Sequence, residues 1–502
     1  LRKSGGGILV ITNQNNSFTG GTHIASGVLV LGNPTDASST IGTLGPGWVT
    51  NEGTLVLGAA GGNHAFSNLV AGTGDLYKLG GSTITVAGSN SYTGDTVVQQ
   101  GVLNLAGATQ DIVRGDMMVS VVTGTSARAI LQASNQIADD SILLVSHSGS
   151  SGDARFIFNG YDDVIGGLSG TQAARPIIVE AAADNVPNRP VTMGLNVANG
   201  EAYSYQGYLR DAAGVGGSNS LLSVLKAGLG RQEFVGGNIT YSGPTLVTQG
   251  VLRLTDASGF RSIVTNDASL EINRSSGSHT HGASIHGLGS LTKLGAGTIS
   301  LTNGNTYTGM TLIQEGRLDI NGDQSLASGQ VSVFSGATLG GTGIIGGATF
   351  IQSGGIHAPG LSPGIETFAL GIAYSNNAIL QWELTANATA TRGLQFDGID
   401  VTGGELNVLP GADLSLIFNG SGSAVDWDNA FWDSGQQWLM FDLSGSATTN
   451  GASSLFDIAS ISLDSGGDTL TKGYFYTFYG AGGDMYLGYA IPEPGEIGRA
   501  HV

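Results

Sequence analysis

One short pattern recurs four times along this chain of 502 residues, and the recurrence limits the folds that the chain can adopt. Each copy begins with an aromatic residue, followed two positions later by Gly and four positions later by Thr. A second Gly stands nine positions after the aromatic residue, and a Leu stands eleven positions after it. A unit this short cannot bury its own apolar side chains, so successive copies must pack on one another.

The four copies place the same residue types at matching positions. The residue after each Leu varies and the next is again aliphatic, which is the pattern of a strand with one buried face. The second Gly suits a tight corner, where the backbone needs a positive φ or has no room for a side chain. The aromatic residues are Phe18, Tyr92, Tyr241 and Tyr307, the second glycines are Gly27, Gly101, Gly250 and Gly316, and the leucines are Leu29, Leu103, Leu252 and Leu318.

A lysine precedes each aromatic residue by 14 or 15 positions, and a Gly follows that lysine two positions later. We interpret the lysine as an exposed turn residue and the aromatic residue as packed at a corner. The alternatives are a lysine that contacts a ligand and an aromatic binding platform. The lysines are Lys3, Lys78, Lys226 and Lys293, and the copies cover residues 3–31, 78–105, 226–254 and 293–320.

Stacked coils of this kind pair their backbones about 4.8 Å apart. No segment shows a convincing helical period, so we predict an all-β chain with a parallel β-helix over residues 1–365. The composition then shifts, because four of the five Trp lie within residues 382–438. We expect residues 366–490 to form a smaller β-rich domain that caps the open end of the solenoid, where strands would otherwise be unpaired.

The best-preserved copy, LTKLGAGTISLTNGNTYTGMTLIQEGRL at residues 291–318, resembles the autotransporter-associated β-strand repeat. The resemblance implies right-handed parallel β-helices in exported proteins, located outside the cell or on the surface of a Gram-negative bacterium. Residues 339–364 are similar to the segment that ends such arrays, and residues 396–409 are similar to the β region that closes them.

A second resemblance concerns residues 491–495. Pro492, Glu493 and Pro494 resemble the start of a PEP-CTERM sorting signal, which implies sorting by an exosortase-type protease. In that family an apolar helix and a basic cluster follow, and neither stands here, so we interpret this segment as a remnant of the motif. Residues 496–502, EIGRAHV, match the in-frame translation of a sequencing adapter. We therefore expect a fragment of a longer protein.

Acidic side chains outnumber basic ones, 38 to 19, which gives a formal net charge of −19. This charge repels phosphate backbones and argues against a nucleic acid as partner. It also keeps a large β protein soluble, and we expect a monomer. Because the chain has no cysteine, neither a disulfide nor a thiolate metal site can form.

Two groups of residues are candidates for chemistry. His279, His281 and His286 lie close together, but a zinc site needs three or four supported ligands, and the Gly/Ser-rich surroundings favour a solvated loop. Paired carboxylates can hydrolyse a glycosidic bond, yet no acid recurs at matching outward positions of the four copies. We predict no metal, no cofactor and no catalytic residue. The acidic pairs are Asp139 with Asp140, Asp162 with Asp163, and Asp397 with Asp400.

These observations together predict a non-enzymatic, exported protein with a structural or adhesive role at the cell surface or in the extracellular matrix. Its partners would be surface polysaccharide or other matrix components, held by many weak and repeated polar contacts. The alternative is a carbohydrate-active enzyme, a polysaccharide lyase or hydrolase, built on a β-helix scaffold.

Overall fold

A computed structural model describes residues 1–36, 40–122, 125–173, 175–182, 189–211, 220–420, 422–451, 453–462 and 472–492. These residues form β-strands and one short 3-10 helix, and no α-helix occurs among them. In the same ranges, no helix is long and apolar enough to cross a membrane. By contacts the chain divides into two compact units, residues 1–268 and residues 269–502.

Short strands make up the first unit. They are β1 (Arg2–Lys3), β2 (Ile8–Ile11), β3 (Thr22–Ile24), β4 (Val28–Leu31), β5 (Val49–Asn51), β6 (Thr54–Gly58), β7 (Asn63–Phe66), β8 (Val70–Ala71), β9 (Asp75–Leu79), β10 (Thr83–Val86), β11 (Thr96–Val98), β12 (Gly101–Leu105), β13 (Met117–Val121), β14 (Ala127–Leu131), β15 (Ile142–His147), β16 (Ala154–Ile157), β17 (Asp163–Ile165), β18 (Gly167–Thr171), β19 (Ile177–Glu180), β20 (Val191–Asn196), β21 (Ala202–Gln206), β22 (Tyr208–Arg210), β23 (Leu222–Ala227), β24 (Arg231–Val235), β25 (Thr245–Val247), β26 (Val251–Thr255) and β27 (Val264–Asn266).

Parallel ladders join the strands of successive coils in this unit. The longest runs β2-β4-β6-β9-β11-β13-β15-β18-β21-β24-β26. A second runs β7-β10-β12-β14-β16-β19-β22, and a third joins β17, β20, β23, β25 and β27. Each coil thus adds strands to two or three parallel sheets, as in a parallel β-helix.

Equivalent side chains stack in rows inside these coils. Each strand alternates inward and outward residues, because successive side chains of a strand point to opposite faces. The inward residues therefore form continuous apolar rows along the ladders, and the prediction of an all-β parallel solenoid is confirmed. One fully buried row of the second ladder consists of Ile84, Leu103, Ala129, Phe156 and Val179.

The second unit has the same kind of strands. They are β28 (Ser269–Asn273), β29 (Ser278–His281), β30 (Ile285–His286), β31 (Ser290–Leu294), β32 (Thr298–Leu301), β33 (Thr311–Ile313), β34 (Arg317–Ile320), β35 (Asp323–Gln324), β36 (Val331–Val333), β37 (Thr338–Gly341), β38 (Ile344–Ile345), β39 (Thr349–Ile351), β40 (Ile356–Pro359), β41 (Ile365–Phe368), β42 (Gly371–Tyr374), β43 (Ile379–Glu383), β44 (Gly398–Val401), β45 (Glu405–Val408), β46 (Asp413–Ile417), the 3-10 helix (Ala430–Asp433), β47 (Gln436–Leu443), β48 (Thr448–Thr449), β49 (Asp457–Ser462), β50 (Tyr474–Tyr479) and β51 (Met485–Ala490).

Parallel ladders again join the coils of this unit, along β28-β31-β33-β36-β39-β42-β45-β48, β29-β32-β34-β37-β40-β43-β46-β49 and β35-β38-β41-β44-β47. Parallel pairing therefore continues past residue 365 as far as β49. Strand β51 then pairs antiparallel with both β47 and β50. The separate capping domain over residues 366–490 stays a prediction.

Aromatic side chains fill the interior beneath this antiparallel layer. Trp382, Trp432 and Trp438 are fully buried. The ring centroids of Trp382 and Trp438 lie 6.2 Å apart, and those of Trp432 and Trp438 lie 5.9 Å apart. Phe475 of β50 also packs against Trp438, at 6.2 Å. The tryptophan-rich segment of the sequence thus supplies the core beneath β47, β51 and β50.

Candidate functional site

The repeat lysines are buried, and the interpretation of an exposed turn residue is wrong. Lys78 lies on β9 with an exposed fraction of 0%. Its Nζ donates to the carbonyls of Leu79 at 3.0 Å, Gly80 at 2.6 Å and Gln100 at 2.9 Å. The third carbonyl lies 22 residues further along the chain, so the lysine links two coils. The same three-carbonyl arrangement surrounds Lys3, Lys226 and Lys293.

Burial changes the pKa of three of these ammonium groups. It lowers the pKa of Lys78 from 10.5 to about 7, and it lowers the pKa of Lys226 and of Lys293 to about 8. An ammonium that leaves water needs hydrogen-bond acceptors in exchange, and the three carbonyls supply them. The repeat lysine therefore has a structural role, because its hydrogen bonds join two successive coils.

The tyrosines of the repeat are also buried, and each is paired with the Thr that follows four positions later. The distance between the hydroxyl of Tyr307 and Oγ1 of Thr311 is 2.6 Å. Tyr92 with Thr96 and Tyr241 with Thr245 make the same contact, at 2.5 and 2.7 Å. The first copy has no such bond, because Phe18 carries no hydroxyl. The paired hydroxyls explain why three of the copies combine Tyr with Thr at this spacing.

Replacement of Tyr307 by Phe is expected to cost about 1 kcal/mol, because the Thr311 hydroxyl loses its buried partner. The effect should be local, so hydrogen–deuterium exchange of the amides of β33 is the suitable measurement. Phe18→Tyr is the reciprocal control, which offers a hydroxyl to Thr22 in the copy that lacks one. Unchanged exchange at β33 in Tyr307→Phe would contradict a contribution from this bond.

The second glycines occupy corners that no other residue fits well. Gly101 has a φ of 74°, and a Cβ on it would lie 2.4 Å from the carbonyl oxygen of Gly80. The equivalent glycines of the other copies have the same two properties. The leucines two positions later point inward: Leu29, Leu103, Leu252 and Leu318 are all buried.

The third copy replaces one aliphatic residue of the inner row with Gln232, which pairs with Leu252 of the next coil. Gln232 is fully buried, yet its amide is satisfied. Its Oε1 accepts from the backbone N–H of Leu168 at 3.0 Å, and its Nε2 donates to the carbonyl of the same residue at 2.8 Å. A polar residue is tolerated in the row because it completes backbone hydrogen bonds.

The histidines do not lie in a solvated loop, so that interpretation is wrong. His279 and His281 are both on β29 and pair with the inward residues Ile299 and Leu301. Burial, and then the neighbouring His279, lower the pKa of His281 to about 4. His286 lies on β30. Within the described ranges, no group of three or more His, Cys, Asp and Glu side chains could hold a metal ion.

The residues of the acidic pairs lie in different environments and make different contacts. Asp163 is buried with a pKa raised by burial to about 7, and its carboxylate accepts backbone N–H bonds from Gln136 and Val164. Its neighbour Asp162 accepts the backbone N–H of Thr192 at 2.7 Å. Both carboxylates thus hold the backbone in place. Asp139 and Asp140 are exposed, and Asp400 is ion-paired with Arg392 at 2.6 Å.

A polar groove of about 670 Å³ lies on the outer face of the second ladder of the second unit. Arg317, Asp319, Glu383 and Asp397 are the charged residues that line it. They come from β34, from β43 and from the segment before β44. Parallel stacking brings them together although they are distant in sequence. We refer to this feature as the ladder groove.

Arg317 and Asp319 neutralise each other within the ladder groove. The Nε of Arg317 donates to the Asp319 carboxylate at 2.5 Å, and its Nη2 donates to the carbonyls of Ala358 and Gly360 at 3.2 and 3.0 Å. Gly340 makes room for this guanidinium, since a Cβ there would lie 2.2 Å from Nη2. The arginine is thus occupied by protein groups.

The carboxylate of Asp397 is likewise engaged by protein groups. Its two carboxylate oxygens accept the backbone N–H of Gly364 at 2.9 Å and that of Glu383 at 2.8 Å. Burial raises the pKa of Asp397 to about 8. Glu383 is half-buried, with a pKa raised by burial, and accepts a hydrogen bond from Ser362 at 3.2 Å. Ser362 has a φ of 132°, which is a strained conformation for a residue other than Gly.

A second network, which the sequence did not indicate, lies next to the groove lining. His357 is fully buried between Tyr374 and Glu366, with its Nδ1 2.5 Å from the hydroxyl and its Nε2 2.7 Å from the carboxylate. Burial lowers the pKa of His357 to about 3 and raises the pKa of Glu366. Burial thus favours the neutral form of both groups. All three side chains have an exposed fraction of 0%.

The parallel ladders between successive coils, together with the buried lysines that bond neighbouring coils, define a parallel β-helix. The model of the family described as passenger-associated-transport-repeat matches residues 1–31, 76–105, 224–254 and 291–320. These four segments are recognisable copies of an autotransporter-associated β-strand repeat. These are the four copies that the sequence pattern indicated.

Two characterised proteins match parts of the chain. The adhesin BmaC autotransporter of Brucella suis biovar 1 (strain 1330) is 34% identical over 152 residues, which is 30% of this chain and 4% of the relative. An extracellular serine protease of Serratia marcescens is 45% identical over 76 residues, which is 15% of this chain and 7% of the relative. The chain thus spans less than a tenth of the length of either relative.

Proposed function

We propose that this chain is part of an exported, non-enzymatic protein with a structural and adhesive role at the surface of a Gram-negative bacterium. The observation that carries the proposal is the fourfold passenger-associated-transport-repeat, together with the partial match to an autotransporter adhesin. Surface polysaccharide or other matrix components are the proposed partners. The net charge of −19 disfavours nucleic acid.

The charged side chains of the ladder groove are mostly engaged by other protein groups, and this supports a non-enzymatic role. Glycoside hydrolysis generally requires two carboxylates that face the sugar. Asp319 is held by Arg317, and Asp397 is held by two backbone amides. Glu383 then remains as the one carboxylate of the groove that neither an arginine nor a backbone amide engages in the described contacts. This arrangement disfavours a polysaccharide hydrolase, and the same pairing of Arg317 disfavours a lyase.

Sorting by a PEP-CTERM signal, and hence recognition by an exosortase-type protease, is part of the proposal. Pro492 stands two residues after the end of β51. Glu493 and Pro494 lie outside the described residues. Expression of the complete gene with and without Pro492–Pro494 in a bacterium that carries an exosortase would test this part. Equal surface display of both forms would contradict it.

A glycan array and a polysaccharide-turnover assay on the purified chain test the main proposal. We expect retention of at least one surface polysaccharide, with no change in its chain length after prolonged incubation. Glu383→Gln is the matched variant, because it keeps the shape of the side chain and removes the charge of the groove carboxylate that neither an arginine nor a backbone amide engages in the described contacts. Shortening of a defined glycan by the wild type, abolished in Glu383→Gln, would replace the adhesive role by an enzymatic one.

A further inference from the structure

An aromatic row lies on the outer face of the antiparallel layer formed by β47, β51 and β50. Strand β50 alternates, with Tyr474, Tyr476 and Phe478 outward and Phe475 inward. Tyr474 is 48% exposed and Tyr476 is 36% exposed. Tyr486 of β51 pairs with Phe478 and extends the row. Successive ring centroids of the row are 6.1, 5.6 and 5.3 Å apart.

Glycines beneath the row let two of the rings lie flat on the sheet. A Cβ on Gly488 would lie 2.4 Å from Cζ of Tyr476, and a Cβ on Gly480 would lie 2.6 Å from Cε2 of Tyr486. One face of each ring therefore covers backbone. The exposed fraction of Tyr476 shows that its other side is open to solvent. Large aromatic surfaces that remain open on a folded protein mark interaction sites.

A groove of about 500 Å³ runs beside Tyr476, at the start of β47 and the end of β51. Gln437 lines this groove with an exposed side chain. Tyr489 also lines it, but Tyr489 pairs with the inward Phe475 and packs against Trp432, with ring centroids 5.1 Å apart. The ring of Tyr489 therefore belongs to the core side of the sheet.

The groups around the groove favour an uncharged ligand. Asp433 lines the groove, but its carboxylate is paired with the ammonium of Lys472 at 2.7 Å. Gln437 contributes an exposed, neutral amide. The net charge of the chain is −19, which repels polyanions. Flat aromatic faces beside neutral hydrogen-bonding groups suit a ligand with apolar faces and hydroxyl edges.

We propose that the aromatic row and the adjoining groove bind an uncharged polysaccharide. Its sugar rings stack on Tyr474 and Tyr476, and its hydroxyl groups bond to the amide of Gln437. The inference rests on the proposed function, in which a surface polysaccharide is the partner, and it adds the site and the class of glycan.

Affinity electrophoresis of the full chain is the test, in gels that contain glucomannan or xyloglucan as uncharged probes and alginate as the anionic probe. The wild type is expected to be retarded by an uncharged probe and to pass unretarded through alginate. Tyr474→Ala combined with Tyr476→Ala is expected to weaken the association by about tenfold, because two stacking surfaces are lost. Phe334→Ala combined with Phe350→Ala, exposed aromatic residues elsewhere, is the control and should bind like the wild type.

Gln437→Ala removes the exposed amide that lines the groove. It is expected to weaken binding several-fold without loss of thermal stability, since the side chain is exposed. Undiminished binding both in this variant and in the double tyrosine variant, with the wild type bound to an uncharged probe, overturns the site while the proposed function stands. Binding to alginate alone overturns the class of glycan. Binding to no probe and to no glycan of the array contradicts the proposed partner itself, and the site with it.

Discussion

Replacement of Gly101 by Ala will destabilise the coil around β10 and β12 by about 3 kcal/mol. The backbone φ of 74° is unfavourable for Ala, and the added Cβ would lie 2.4 Å from the carbonyl oxygen of Gly80. That oxygen belongs to the preceding coil, so relief requires the two coils to move apart. Hydrogen–deuterium exchange of the amides of β10 and β12 should show the loss most directly.

Two other glycines separate the contributions of strain and of collision. Gly200 has a φ of 84°, and a Cβ added to it would have no other atom within 4 Å, so Gly200→Ala tests the strained φ alone. Gly282 has neither a strained φ nor a near neighbour, so Gly282→Ala should be close to neutral. If Gly101→Ala costs no more than Gly200→Ala, close contact between coils is not the reason for the repeated glycine.

The second large effect is expected at the repeat lysine. Lys78→Met keeps the apolar stem but leaves the carbonyls of Leu79, Gly80 and Gln100 without their donor, and should cost about 3 kcal/mol. Urea unfolding followed by exchange at β9 and β11 measures the loss. Lys472→Met is the control, because this half-exposed surface ion pair contributes about 0–1 kcal/mol.

The wild type and Lys78→Met should also differ in their pH dependence. The pKa of Lys78 is lowered by burial from 10.5 to about 7, so the unfolded chain retains this proton to higher pH than the folded chain does. The free energy of unfolding of the wild type should therefore rise relative to that of Lys78→Met between about pH 7 and pH 10.5. A constant difference across this range would show that the lysine keeps an ordinary pKa in the fold.

The repeated pattern was enough to predict the class of fold. Alternation around Leu103 and its counterparts indicated one buried face, and a unit too small to fold alone had to stack. The ladder groove could not be predicted, because Asp319 and Glu383 are brought together only by the register of stacked strands. The one sequence signal was the acidic Asp319 in the variable position of the last copy, where the other copies have Val30, Asn104 and Arg253.

The sequence by itself determined the period, the inward aliphatic rows and the glycine corners, because these depend on residues within one strand or one turn. Only the tertiary structure decided the environment of the lysines, since one of the three carbonyls that bind each ammonium comes from the next coil. The inward histidines, the occupied carboxylates and the aromatic row on β50 were decided in the same way. Each depends on which strand lies alongside, and backbone pairing between distant segments sets that neighbour.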